Sequence, residues 1–346
     1  MNRIKDIAKK ANVSAGTVDR VIHNRGGVSE KTRVKILKII EENNYTVNPI
    51  ASILASKKKF TIATLLPRAT SNNDFWQSPK EGVIASADEI HSLGIDVLHF
   101  EFDQFRPESY IEAFYKLLES DPSAVLLAPV LHKETIEIIH LLDQKKIPYV
   151  TINAETEGLN NLSYIGQNSY KGGYLAGKLM NWVLPPNATI LIVEIRKNID
   201  NHKAITNRIK GFKAYFDEHK KKKSIQHITI DQLDNENFVN QSLATFLEEY
   251  PQTKGIFVPS SKAHHIAKSI QILKRKDIEI GGFDTTPQNI DFLKNEHIDF
   301  LISQKPYQQG YEGIKLLFNY LIHKKEPLKN YFLPIEIVLK ENVDYH

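Results

Sequence analysis

The sequence predicts a small all-α helix-turn-helix head followed by an α/β body, the body made of two doubly wound parallel-sheet lobes. Apolar residues recur at helical spacing through residues 4–43, and from Phe60 onward short apolar strands alternate with amphipathic helices. A chain of 346 residues also exceeds one ordinary domain. The charge divides at the same point. Residues 1–59 hold 13 Lys and Arg against 5 Asp and Glu, a balance of +8, whereas the rest holds 32 against 36, a balance of −4. A basic head on a mildly acidic body points to a polyanionic partner for the head alone.

In the head, Ile4, Ile7, Ala8 and Ala11 predict a first helix over 4–11. Asn12-Val13-Ser14 breaks it, and Ser14 is placed to cap a second helix from Ala15 to about His23, with Val18, Val21 and Ile22 on its apolar face. Asn24-Arg25-Gly26-Gly27 reads as a loop. Ser29 then caps a third helix with Val34, Leu37 and Ile40 expected to face inward, ending near Asn43-Asn44. Three short helices with a tight turn between the first two describe a helix-turn-helix. The competing reading is a structural bundle or a dimerisation cap. The polar face of the second helix weighs against it: Ser14, Gly16, Thr17 and Arg20 are small or hydrogen-bonding, a surface that enters a major groove, where Arg20 can reach a guanine edge.

Residues 48–59 lie between head and body and read as a short helix followed by a basic run. Asn48 can cap a helix and Pro49 suits its first position. The two turns that follow carry Leu54 and end in Lys57-Lys58-Lys59. A helix that short is marginal alone and forms only with a partner.

The body's strand candidates are 60–66, 95–102, 124–128, 149–152, 189–194, 225–230, 255–258, 279–282 and 299–303. Ligands in such sheets bind beyond the carboxyl ends of the strands. The absence of cysteine excludes disulfides and thiolate sites. Met1–Ile7 has no apolar core of a secretory signal and no later run is long enough to span a bilayer, so a cytoplasmic location is expected. No Walker loop, Ser/His/Asp set or paired catalytic carboxylates stand out, so neither enzymatic activity, a cofactor nor a metal is expected. The adjacent His264 and His265 are expected on the surface or in packing, and Gly172-Gly173…Gly177 in close helix packing. Lys220–Lys223 is expected to be a solvated helix end or loop.

Several runs carry a family resemblance. Ile4-Lys5-Asp6-Ile7-Ala8, Asn12-Val13-Ser14-Ala15-Gly16-Thr17-Val18-Asp19-Arg20-Val21, Val28-Ser29-Glu30-Lys31-Thr32-Arg33, Asn44-Tyr45, Asn48, Ala51 and Leu54 resemble the head and hinge of the LacI-type (lactose-repressor) regulators. Gln167–Gly177, Arg208–Phe212, Gly281-Gly282-Phe283-Asp284 and Gln304-Lys305-Pro306-Tyr307 are similar, in order and spacing, to their periplasmic-binding-protein-like core and to ribose-type sugar-binding proteins.

The resemblance implies that Ala15, Gly16 and Arg20 read bases, with Ser14, Thr17, His23 and Asn24 beside them, and that Leu54 wedges open the minor groove of operator DNA. It implies an effector cleft formed by Asn73, Phe75, Trp76, Asn153, Arg208, Ser260, Asp284 and Gln304. Two positions depart in the head: Asp19 replaces the usual serine, with pairing to Arg20 or Lys31 expected, and His23 replaces the usual asparagine. Asn153, Ala154 and Ser260 replace the usual aspartate, arginine and asparagine, giving a less charged pocket. The expectation is a homodimeric DNA-binding regulator, a repressor on a near-palindromic operator, controlled by a sugar or sugar derivative. A nucleobase effector, or a solute-binding protein without DNA function, are the alternatives.

Overall fold

The computed structural model describes residues 4–22, 24–43, 59–70, 74–195, 203–221, 223–233 and 235–345. His23, Leu54 and Asn73 lie outside them, as does the hinge apart from Lys59. The chain divides into two compact units, Met1–Lys58 and Lys59–His346.

Among the described residues the first unit is built from α1 (Ile4–Ala11), α2 (Ala15–Ile22) and α3 (Glu30–Glu42). The α1–α2 turn passes through Asn12 in the left-handed region, and the Ser14 hydroxyl accepts from Thr17 N at 3.1 Å to start α2. Ser29 caps α3 in the same way, its side chain accepting from Thr32 N. Ile7, Ala8, Ala11, Val18, Val21 and Ile36 form the core. The expected inward face of α3 is corrected here: Val34 is 57% and Leu37 47% exposed, while Ile36 is fully buried. Ile36, Ile39 and Ile40, at i, i+3 and i+4, form the inward stripe. Successive residues turn by about 100° around a helix, so a one-residue error in phase moves the stripe away from α1 and α2.

The second unit has two six-stranded sheets, one per lobe. The first contains β1 (Phe60–Pro67), β2 (Ile95–Phe102), β3 (Ala124–Leu127), β4 (Tyr149–Ile152), β5 (Ser163–Gly166) and β11 (Asn330–Phe332), in the order β11-β5-β4-β3-β1-β2. The second contains β6 (Thr189–Ile195), β7 (Ser224–Ile230), β8 (Thr253–Phe257), β9 (Glu279–Phe283), β10 (Phe300–Ser303) and β12 (Glu336–Val338), in the order β12-β10-β9-β8-β6-β7. All pairings are parallel except β10 with β12. In both sheets the order reverses beside the first strand, which makes the doubly wound pattern and its switch point.

The nine expected strands are present within two residues of their predicted ends. β5, β11 and β12 were not foreseen: they are three or four residues long, and β11 and β12 sit at sheet edges, where neighbours rather than a long apolar run define them. Alternation explains the buried strands. In β6, Ile190 and Ile192 enter one core and Leu191 and Val193 the other, because helices cover both faces.

Each lobe is closed by one tight helix pair. In the second lobe α7 (Ser169–Val183) lies on α8 (Lys203–Glu218): a Cβ at Gly173 would come 1.9 Å from Arg208 O, and one at Gly211 1.9 Å from Tyr170 O. In the first lobe α4 (Gln77–His91) meets α12 (Pro306–His323), with Gly82 against Tyr307 O and Gly310 against Pro79 O, both at 2.0 Å. Close packing therefore accounts for Gly173. Of the lysine run, Lys220 and Lys221 are exposed, whereas Lys223 reaches back to the carbonyls of Leu184 and Pro185 beyond the end of α7.

Candidate functional site

The carboxyl ends of both sheets open onto one cleft of about 370 Å³. Seven of the residues expected there line it: Phe75, Trp76, Asn153, Arg208, Ser260, Asp284 and Gln304. All but Arg208, which lies further along its helix, follow a strand end or open the next helix, so the chain places them by topology rather than by proximity in sequence.

Arg208, on the second turn of α8, is 4% exposed. Its Nη1 donates to Pro259 O at 2.8 Å, and its guanidinium carbon lies 4.0 Å from the Phe283 ring centroid. Nε is buried and has no hydrogen-bond partner among the described residues. Burial lowers the pKa of Arg208, opposed by the charge of Asp284.

Asp284 follows β9 in the left-handed region, φ 68°, and is also 4% exposed. Its N–H donates to Ile302 O at 2.9 Å, and Gln304 Nε2 donates to its Oδ1 at 2.6 Å. Burial raises its pKa to about 6, with Arg208 and Gln304 pulling the other way. Asn289 is fully buried and holds this corner, its amide donating to the carbonyls of Phe283, Asp284 and Ser261 while Oδ1 accepts from His264 N.

Opposite, Phe75 and Trp76 meet edge to face, centroids 5.1 Å apart and planes at 89°. Perpendicular rings let a flat apolar ligand face stack on only one of them. Trp76 Nε1 donates to Gln104 Oε1 at 3.1 Å. Asn153 is held at φ 70°, its carbonyl accepting from Tyr164 OH. The Ser260 hydroxyl and both Asp74 carboxylate oxygens are buried without hydrogen-bond partners among the described residues. The cleft thus joins an aromatic wall to a floor of donors and acceptors, the chemistry that holds a polyhydroxylated ring.

The structure adds residues that sequence reasoning missed. Arg68, Asp103, Gln104, Asp231 and Lys262 line the cleft, as does His265, which was expected on the surface or in packing. Asp103 and Asp231 directly follow strands that were predicted, so the strand-end rule could have found them. His264 is a packing residue, its Nδ1 2.8 Å from Asn289 Oδ1. Among the described residues no cluster of three or more His, Asp or Glu is placed to hold a metal, and no helix is long and apolar enough to cross a membrane.

On the head, Ser14, Ala15, Gly16, Arg20 and Asn24 form an exposed face, with Thr17 half-buried. Ser14 and Thr17 bond each other at 2.9 Å, and the Asn24 side chain accepts from Arg33. A Cβ at Gly16 would meet only Ser14 Oγ, at 3.8 Å, so internal packing does not demand a glycine there. Asp19 was expected to pair with Arg20 or Lys31. Asp19 forms an ion pair with Arg25 at 3.3 Å, because the turn after α2 brings Arg25 back alongside the helix.

Residues 3–48 match the bacterial regulatory proteins of the lacI family, and residues 62–325 match a periplasmic binding protein domain. The HTH-type transcriptional regulator RegA of Clostridium saccharobutylicum is 24% identical over 345 residues, covering 98% of either chain. The ribose operon repressor of Halalkalibacterium halodurans is 26% identical over 99% of this chain and 97% of its own. The structure of a putative LacI transcriptional regulator from Bacteroides fragilis superposes with a TM-score of 0.76 at 26% identity, over 84% of this chain and 100% of that one.

Proposed function

The chain belongs to the lacI family of bacterial regulatory proteins and carries a periplasmic binding protein domain, and from that premise we propose a cytoplasmic, homodimeric repressor of a near-palindromic operator, controlled by a sugar or sugar derivative bound between its lobes. The observation that carries this reading is the floor of the cleft, where Arg208, Asp284 and Gln304 converge opposite Phe75 and Trp76. A planar guanidinium and a carboxylate take vicinal hydroxyls, and an aromatic face takes the apolar side of a pyranose. That a relative is a ribose operon repressor supports the same class of effector.

In this reading Ser14, Ala15, Gly16, Thr17, Arg20, His23 and Asn24 meet the major groove, and two copies place two heads on successive half-sites. Leu54 of each hinge enters the minor groove at the operator centre. Effector binding alters the angle between the lobes and hence the pairing of the hinges. The coupling is reciprocal: operator DNA shifts effector affinity by the factor by which effector shifts DNA affinity.

A thermal-shift screen against pentoses, hexoses, uronic acids and purines tests the effector, because a ligand of the native state raises the melting temperature. A purine alone raising it would overturn the sugar reading. Fluorescence anisotropy with duplexes from the chain's own upstream region tests the DNA role, and binding with no sequence preference would sink it.

A further inference from the structure

α2 carries a carboxylate directly beside its proposed base-reading arginine. Asp19 precedes Arg20, and its Oδ2 accepts from Arg25 Nη1 at 3.3 Å. The backbone brings Arg25 there. Asn24 takes the left-handed conformation at φ 49°, Asn24 N donates to Val21 O at 3.2 Å, and Arg25 N donates to Arg20 O at 2.8 Å. That is a Schellman ending, which folds the chain back over the last turn of the helix. From the other side Arg33 donates through Nη1 to the Asn24 side chain and through Nη2 to Arg25 O at 3.5 Å. Three arginines therefore gather around one turn, with Asp19 among them.

An isolated carboxylate on a DNA-facing helix repels phosphate, and a serine there would not. Paired with Arg25, its charge is cancelled locally, while the guanidinium keeps donors beyond the one that Asp19 engages. An ion pair this exposed adds little to folding. Its consequence lies in where it holds the arginine. Arg25 lies exposed in the turn past the end of α2, next to Asn24. A cation held beyond the helix that is read as contacting bases suits a backbone contact, which sets register without reading sequence.

Resting on the DNA-binding reading of the head, we propose that Asp19 is a positioning residue that holds Arg25 as a phosphate contact, so that the two act as one unit in DNA binding. The departure from serine at position 19 then adds to binding instead of detracting from it.

The test uses the full chain, a duplex enriched by it from a randomised library, and an unrelated duplex of equal length, with anisotropy read across a salt series. Arg25→Ala should weaken both duplexes and make the slope of log K against log salt shallower by about one unit per head. Arg25→Lys should restore that slope. Asp19→Ser, although it removes a negative charge, should weaken binding by up to about fivefold, and should have no further effect on the Arg25→Ala background. Asp19→Glu should retain most of the wild-type affinity. The pairing is overturned if Asp19→Ser tightens binding to both duplexes, or if the two substitutions simply add. If the wild-type chain enriches no duplex, the DNA-binding reading itself has failed; enrichment with additive substitutions defeats the pairing alone.

Discussion

Gln304 Nε2 donates to Asp284 Oδ1 at 2.6 Å, and the Gln304 carbonyl accepts from Gln309 Nε2 at 2.9 Å. One side chain thus joins the acid at the floor of the cleft to the segment where the chain passes from β10 into α12, that is, from one lobe to the other. A ligand that bonds Asp284 acts directly on this crossing.

Burial raises Asp284 from 3.8 to about 6. A carboxyl whose folded pKa lies above its unfolded one favours the fold at low pH, and that contribution fades as pH rises from about 4 through about 6. Ligand hydroxyls donate best to the ionised form, so effector affinity should run the other way. Titration calorimetry should show binding about tenfold weaker at pH 5 than at pH 7, since about a tenth of the carboxyl is ionised there. Asp284→Asn should bind weakly with a flat profile. Gln304→Leu should move the midpoint upward, because its hydrogen bond lowers the Asp284 value.

Arg208 is the buried counter-charge of Asp284. Arg208→Met should destabilise the body in denaturant unfolding by about 1–3 kcal/mol, because it removes the positive charge that offsets the buried Asp284 carboxylate. Part of that loss should return below pH 5, where Asp284 is protonated. Arg208→Lys keeps a charge but not the fork, and should cost effector affinity more than stability.

The two glycine-sealed helix pairs separate stability from binding. Gly173→Ala drives a Cβ into Arg208 O, so it should lower stability by about 1–3 kcal/mol and also weaken effector binding by displacing Arg208. Gly82→Ala meets Tyr307 O at a similar distance but touches no residue that lines the cleft. Thermal unfolding should report a comparable loss, with effector affinity in the remaining folded protein nearly unchanged.

Leu54 lies outside the described residues, and its role comes from the family resemblance. Leu54→Ala should leave effector affinity intact while weakening selected-duplex binding on the order of tenfold or more, the scale set by losing one buried leucine. Retained affinity would reduce the hinge to a linker.

The boundaries of the head helices and of nine body strands are legible in the sequence because helix caps, helical periodicity and apolar runs are local signals. Ser29 before α3 and the apolar run of β6 need no tertiary information. Phe75, Trp76, Arg208, Asp284 and Gln304 were reached through the spacing of family motifs rather than through any property of the isolated residues. Only tertiary structure decided the rest. The inward stripe of α3 runs through Ile36 instead of Val34 and Leu37 because α1 and α2 choose which face is covered. Asp19 meets Arg25 because a left-handed Asn24 folds the chain back. Lys262 and His265 join the cleft because the doubly wound order brings strand ends far apart in the chain to one edge, a convergence that no local pattern encodes, whereas Asp103 and Asp231 are within reach of the strand-end rule.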